Sequence, residues 1–355
     1  MGVDLKFLAE LTNAPGVSGD ESAVRRILRR RIEPLADSVH VDALGNLIAV
    51  KRPSGPRGHR LPRVMLAAHM DEVGLMVTHV DKSGYLRFSR VGGIDGRLLL
   101  AKRVRVGKSG LPGVIGAWPV HFLRRRSDRD RVPSPDDLAI DIGASCPEEA
   151  LAIVGVGEYA CFDTAFERWG DTVKAKALDD RVGCAILAEL LKYRYPFELT
   201  AVFTVQEEVG LRGATVAAFD RYPDLALVLE GTGAADFPQP KDSGQGKVPA
   251  LGRGPVITLM DRSVFCDRGL VGLLHTAARS RGIPVQVKRP GIGGTDAGRI
   301  NLARGGVRTA VLAVACRYIH GPAGLCSLRD VSRTLELARA ALGRLGRYGL
   351  SAIKI

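Results

Sequence analysis

Five places in the sequence set a histidine or a carboxylate directly behind a run of apolar residues. AHMDEVG at 68–74 carries His69 and Asp71, and ALDDRVG at 177–183 carries Asp179 and Asp180. VQEEVG at 205–210 carries Glu207 and Glu208, LVLEG at 227–231 carries Glu230, and RYIHGP at 317–322 carries His320. Each has an ordinary structural reading when taken alone. Asp is favoured as a helix N-cap, paired Glu residues suit a surface turn, and a lone His is more often structural than a ligand. Five such sites in one chain point instead to a shared centre. Two imidazoles and several carboxylates suit a hydrolytic site for borderline divalent metals. If two ions are held, one carboxylate must be shared, and Asp179 is the natural bridge. Adjacent Glu207 and Glu208 suit a division of labour, one moving protons and one binding metal. In an extended segment, residues two apart share a face, so Asp71 is placed to hold His69 by its second ring nitrogen.

Competing chemistries lack their motifs. The chain has no HExxH and no GxSxG elbow. Gly107-Lys108-Ser109 ends like a phosphate loop, but position 102 is Lys where that loop needs Gly. No GxGxxG follows a strand.

The elements that must position these residues read as an α/β fold. Two helices occupy the first 35 residues, broken at Asn13–Gly19, with Asp20 or Ser18 as the expected cap of the second. Val64–Ala68 has the texture of a strand buried on both faces. Short strand-like runs then alternate with turns over 72–166: Leu75–Val80, Tyr85–Val91, Arg103–Val106, Gly113–Ala117 and Leu138–Ile142. Arg124–Asp137 reads as a mobile loop. Beyond Lys174, helices Arg181–Leu191, Arg212–Phe219, Leu270–Arg281 and Leu328–Leu345 alternate with strands Thr200–Val205, Ala226–Leu229, Val256–Leu259, Val285–Lys288 and Ala310–Val314. The expectation is a central mixed sheet flanked by helices, formed by 1–71 and 167–355, interrupted by a small all-β domain at 72–166.

Composition excludes several classes. The 355 residues are 46% hydrophobic and 25% charged, the mix of a globular protein. No apolar run reaches the ~18 residues of a membrane span, and Met1–Glu10 lacks a signal-peptide core. Six scattered cysteines without a CxxC pair read as reduced, so a cytoplasmic location is expected. The net charge is +13, but its Arg clusters are short and aromatics are only 5%. A nucleic-acid partner is therefore not expected.

At the chemistry-bearing residues the chain resembles the M42 aminopeptidases, which include the tetrahedral (TET) and glutamyl aminopeptidases. The blocks are AHMDEVGLMV at 68–77, ALDDRVG at 177–183, VQEEVGLRGA at 205–214, GGTDAGRI at 293–300 and RYIHGP at 317–322. GGIDGRLLLAKRV and LAIDIGASCPEEA, inside the β insert, extend the likeness over nearly the whole chain.

The resemblance implies the dinuclear peptidase fold and two divalent ions per subunit, zinc or alternatively cobalt or manganese. His69 and Glu230 would hold one ion, Glu208 and His320 the other, and Asp179 would bridge them. Glu207 would be the general base acting on a bridging water, and Asp71 would orient His69. A cis peptide is expected at Asp179–Asp180. Glu230 departs from the Asp usual in the family. Thr295 and Asp296 are expected to line the substrate cleft, or else to start a helix with Thr as its cap. The implied activity is removal of the N-terminal residue from short peptides with a free N-terminus. The implied assembly is a homo-oligomer in which the insert builds dimers and the dimers a tetrahedral dodecamer. The alternatives are a related deacylase or carboxypeptidase, an endoglucanase, or a basic binding protein on an inactive scaffold. The preferred first residue is left open.

Overall fold

A computed structural model describes residues 2–54, 62–238 and 248–353. Its large mixed sheet runs Ser38–Val41, Leu47–Lys51, Leu199–Thr204, Val64–His69, Leu225–Gly233, Arg308–Arg317, Gly324–Ser327, Thr172–Ala175, Glu167–Trp169. Val256–Thr258 branches from Arg308–Arg317 and also pairs with Gln286–Val287. The four strands from Leu199–Thr204 to Arg308–Arg317 are mutually parallel. Open parallel sheets bind ligands at the carboxyl ends of their strands. Register sets those ends level: Thr204 pairs with His69, and Val228 with Ala67 two residues before each strand reaches its acid or His.

Both faces are covered, so the central strands are apolar throughout; all six residues of Val64–His69 are buried. Alternation divides them between two cores. Leu66 and Ala68 join a core with helices Leu5–Asn13, Ser22–Ile32, Leu178–Leu190, Arg268–Arg281 and Leu328–Tyr348. Met65 and Ala67 meet helices Arg212–Arg221 and Ala297–Asn301 on the other face.

Between His69 and Thr172 the chain closes a six-stranded barrel, ordered Gly74–Val80, Leu86–Val91, Ala139–Asp141, Leu111–Gly116, Arg103–Val106, Tyr159–Phe162. Closure removes exposed sheet edges, and seventeen buried residues, among them Leu75, Leu86, Val104 and Ile140, fill its own core. The segment 124–137 is irregular apart from the short helix Arg126–Arg129 and a 3-10 turn at Pro135–Asp137.

One local expectation is overturned. Neither Asp20 nor Ser18 caps the second helix. Its N-cap is Glu21, with no side-chain cap bond, and the Ser18 hydroxyl donates to Asp71 instead. The strands Tyr159–Phe162, Glu167–Trp169 and Thr172–Ala175 were not separated from turns by the apolar pattern. Among the described residues no helix is long and apolar enough to cross a membrane.

Candidate active site

The five chemistry-bearing segments converge. His69 is the last residue of its strand, Glu230 lies within Leu225–Gly233, and Glu207 and Glu208 follow the end of Leu199–Thr204. His320 follows Arg308–Arg317, and Asp179 stands at the start of Leu178–Leu190. That helix begins irregularly: Asp179 and Asp180 have non-helical dihedrals, and the peptide between them is cis, as expected.

Asp179 faces both histidines. Its Oδ1 lies 3.5 Å from His69 Nε2 and its Oδ2 lies 3.5 Å from His320 Nε2. Glu230 Oε1 is 3.2 Å from His69 Nε2, and Glu208 Oε1 is 3.3 Å from His320 Nε2. Each histidine thus meets one carboxylate of its own and one oxygen of Asp179. Asp179 Oδ1 and Glu230 Oε2 are buried and have no hydrogen-bond partner. A buried polar atom without a partner is costly, and a cation bound there would satisfy both. The residues present therefore fit divalent metal. Among the described residues, three groupings have ligand atoms within 4.8 Å of one another: Asp179, Glu208 and His320; His69, Asp180 and Glu230; and His69, Glu207 and Glu208.

His69 Nδ1 is oriented from behind. Its nearest acceptor is the main-chain carbonyl of Asp71 at 3.1 Å, with the carboxylate at 3.5 Å. The expected contact through the carboxylate is thus supplemented by a closer one through the backbone. The carboxylate is engaged elsewhere as well, accepting the N–H groups of Glu207 at 3.0 Å and Glu208 at 3.1 Å. Asp180, whose role the sequence motif does not specify, is fully buried and accepts the His69 N–H at 3.2 Å and the Gly183 N–H at 2.9 Å. Local sequence rules do not say which of two adjacent aspartates turns outward.

Without metal the charges perturb one another strongly. Burial pushes Glu208 up to about 7 and Glu230 up to about 8, and raises Glu207 well above the usual range. The hydrogen bond to Asp179 lifts His320 to about 9. Burial pulls His69 down, but Glu230, Asp179 and Asp71 outweigh it and raise it well above normal. Burial also opposes ionisation of Asp179, yet His320 and His69 hold it below the carboxylate range. Clustered perturbed groups in a cleft mark a functional site.

Backbone strain gathers here too. Ala177, Gln206, Leu211, Tyr318 and His320 all have positive φ without being glycine, and such strain concentrates at active sites. Gly231 has a packing reason to be glycine, because a Cβ there would come within 2.8 Å of Asp179 Oδ1. The barrel contributes Gly93, whose Cβ position is 3.3 Å from His320 Nδ1.

Above the cluster opens a cavity of about 540 Å³, lined by His69, Glu207, His320, Thr295, Lys288 and Ile292 among others. Thr295 reaches it, with its hydroxyl 3.3 Å from Asp261. Asp296 lies outside the lining. It is 1% exposed, accepts from Thr204 Oγ1 at 2.5 Å, and precedes helix Ala297–Asn301 without capping it through its side chain. Burial raises its pKa to about 6.

The M42 glutamyl aminopeptidase family profile matches residues 45–337. A putative aminopeptidase of Acetivibrio thermocellus is 39% identical over 338 residues, covering 95% of this chain and 97% of that protein. A TET aminopeptidase from a marine-sediment Thaumarchaeota archaeon superposes with a TM-score of 0.90 at 35% identity, over 99% of both chains. The Pyrococcus horikoshii TET1 peptidase, described as assembling into a tetrahedron or a large octahedral shell, gives 0.83 at 36% identity over 95% of this chain and 98% of that one. The strand-end cluster thus sits in a chain that belongs to the M42 family of aminopeptidases, hydrolases acting on peptides.

Proposed function

We propose that this chain is a two-metal aminopeptidase that removes the N-terminal residue of short peptides with a free N-terminus. The observation that carries the reading is Asp179, whose two oxygens face His69 and His320 at equal distances of 3.5 Å. Two divalent ions there, zinc or alternatively cobalt or manganese, would lower the pKa of a water toward neutrality and polarise the scissile carbonyl. His69 and Glu230 would hold one ion, Glu208 and His320 the other, and Asp179 both.

Glu207 is the general base in this reading. Its backbone amide is pinned by Asp71, and its carboxylate lines the cavity. It takes the proton from the attacking water and delivers one to the leaving amine. Glu230 replaces the shorter Asp of the family, yet its carboxylate still reaches His69 Nε2 at 3.2 Å. Thr295 with Gly293 and Gly294 forms part of the wall along which the peptide passes. Asp296, behind that wall, supports it through Thr204 rather than touching substrate. We assign residues 72–166 to an inserted assembly domain and expect a homo-oligomer, up to a tetrahedral dodecamer. The described assemblies of the Pyrococcus horikoshii relative support this.

The test is peptide hydrolysis followed by mass spectrometry on protein loaded with Zn²⁺ or Co²⁺. Stepwise loss of residues from free but not acetylated N-termini is the expected result. Cleavage of acetylated peptides, or from the carboxyl end, would overturn the aminopeptidase assignment.

A further inference from the structure

The turn bearing Glu207 and Glu208 adopts a conformation that needs holding. Gln206 has φ 56°, a left-handed backbone that side-chain-bearing residues rarely adopt. Its three successive amides donate to two buried carboxylates. Gln206 N–H reaches Glu21 Oε1 at 3.2 Å, Glu207 N–H reaches Asp71 Oδ1 at 3.0 Å, and Glu208 N–H reaches Asp71 Oδ2 at 3.1 Å. Both acceptors are tied to one N-terminal segment. Ser18 Oγ donates to Asp71 Oδ2 at 2.6 Å, and Glu21 Oε1 also accepts the Gly19 N–H at 2.7 Å. Ser18 and Glu21 are each 4% exposed, and Asp71 is fully buried.

The segment is itself fixed at both ends. Val17 bridges Glu72 in parallel, with Glu72 N–H on Gly16 O at 2.9 Å and Ser18 N–H on Glu72 O at 3.2 Å. Gly19, at φ +99°, fits under Tyr159 of the barrel, where a Cβ would come within 2.5 Å of the phenol oxygen. Side-chain capping of the following helix would be the ordinary role for Ser18 and Glu21, and it is excluded: Glu21 is the N-cap residue, but no side chain makes a cap bond. Neither residue lines the cavity above the metal-binding cluster.

We propose that Ser18 and Glu21 are positioning residues for hydrolysis, holding residues 206–208 so that the Glu207 and Glu208 carboxylates are aimed at the reacting centre. This rests on the functional reading above. A base held slightly off its geometry affects the chemical step more than substrate binding. Partners behind a metal site typically contribute about 10–100-fold.

Four variants, Ser18→Ala, Ser18→Thr, Glu21→Ala and Glu21→Gln, are compared as full-length, metal-loaded protein. Thr keeps the hydroxyl and Gln keeps an acceptor oxygen, so these two guard against failure to fold. The alanine variants are expected to lose about 10-fold or more in kcat with KM within about twofold. Thr and Gln should recover most of that loss. Hydrogen–deuterium exchange should be faster in peptides covering 206–208 of the alanine variants, with helix Leu178–Leu190 unchanged. Wild-type kcat in the alanine variants, equal losses in the alanine and conservative pairs, or unaltered exchange at 206–208 would each overturn the proposal. If the wild-type chain fails to cleave free peptides, the functional reading fails instead. The exchange comparison still decides whether Ser18 and Glu21 hold the turn.

Discussion

Replacing Glu207 by Gln separates a proton-moving role from a metal-holding one. Gln has the same shape and keeps one acceptor oxygen but has no basic carboxylate. Glu207 is 9% exposed, so water cannot readily substitute for it. General acid–base groups contribute typically 10²–10⁴-fold, which at 1.36 kcal/mol per tenfold is about 2.7–5.4 kcal/mol of barrier. The expected outcome is a kcat reduced by that factor with the metal content of the wild type retained. Retention follows from geometry, since the His69 and His320 imidazoles pair with Asp179, Glu230 and Glu208. The opposing arrangement is present too, because His69, Glu207 and Glu208 also lie close enough to share an ion. Metal analysis beside initial rates on one short peptide distinguishes the two. Lost metal would make Glu207 a ligand, and full metal with full turnover would place the base elsewhere. A second readout concerns stability. Burial, then repulsion from Glu230, Asp296 and Glu208, disfavours ionised Glu207 despite His69. Metal-free Glu207→Gln should therefore melt higher than wild type at alkaline pH, where the wild-type group is forced to ionise.

If His320 is a direct ligand, His320→Ala should lose metal and more than about 100-fold in activity, since a ligand outweighs its supporting partners; full occupancy by metal analysis would exclude His320 as a ligand. Gly231→Ala brings a Cβ to 2.9 Å from Asp179 Cα and should destabilise by about 1–3 kcal/mol, with an unchanged melting temperature counting against that close approach. Metal-free protein should lose stability from about pH 4.5 to 9. Glu208, Glu230 and His320 bind protons more tightly folded, at about 7, 8 and 9, than unfolded, so rising pH strips protons the folded state prefers. Added metal displaces those protons, so the gain in melting temperature on adding Zn²⁺ should grow over the same range, and a flat gain would refute the linkage. Lys288 and Arg289 line the cavity, so acidic first residues should be preferred over lysine, and Lys288→Glu should reverse the order; equal rates before and after would remove Lys288 from specificity.

The sequence made the strand-end residues legible because their signal is local. An apolar run such as Val64–Ala68 followed by His69, or Thr200–Val205 followed by Glu207, announces a buried strand and the charge at its end. Other features depend on contacts distant in sequence and left no such trace. Ser18 looks like a cap because it precedes a helix, but its hydroxyl finds Asp71, fifty-three residues on. The nearest brace of His69 Nδ1 is a carbonyl rather than a side chain, and every residue type supplies a carbonyl. The left-handed conformations of Gln206, Tyr318 and His320 run against local propensity and persist because the surroundings impose them. Tyr159–Phe162 closes the barrel by pairing with both Gly74–Val80 and Arg103–Val106, a register that alternation within one segment does not specify.

The placement of the barrel follows from the same contacts. The chain leaves the sheet at His69, makes Asp71, and enters the barrel at Gly74; it returns through Thr172–Ala175 straight into Asp179. Both exits of the barrel are thus parts of the site. Gly92, at the end of a barrel strand, would place a Cβ 3.4 Å from Glu208 Cβ, and Gly93 packs on His320. One half of the cluster, Glu208 and His320, is therefore walled by barrel backbone. The other half, His69 and Glu230, is walled by the sheet. Burial is what raises Glu208, so its electrostatics depend on how the barrel seats. Any displacement of the barrel would shift Gly93 relative to His320. It would disturb the surroundings of Glu208 and His320 before those of His69 and Glu230.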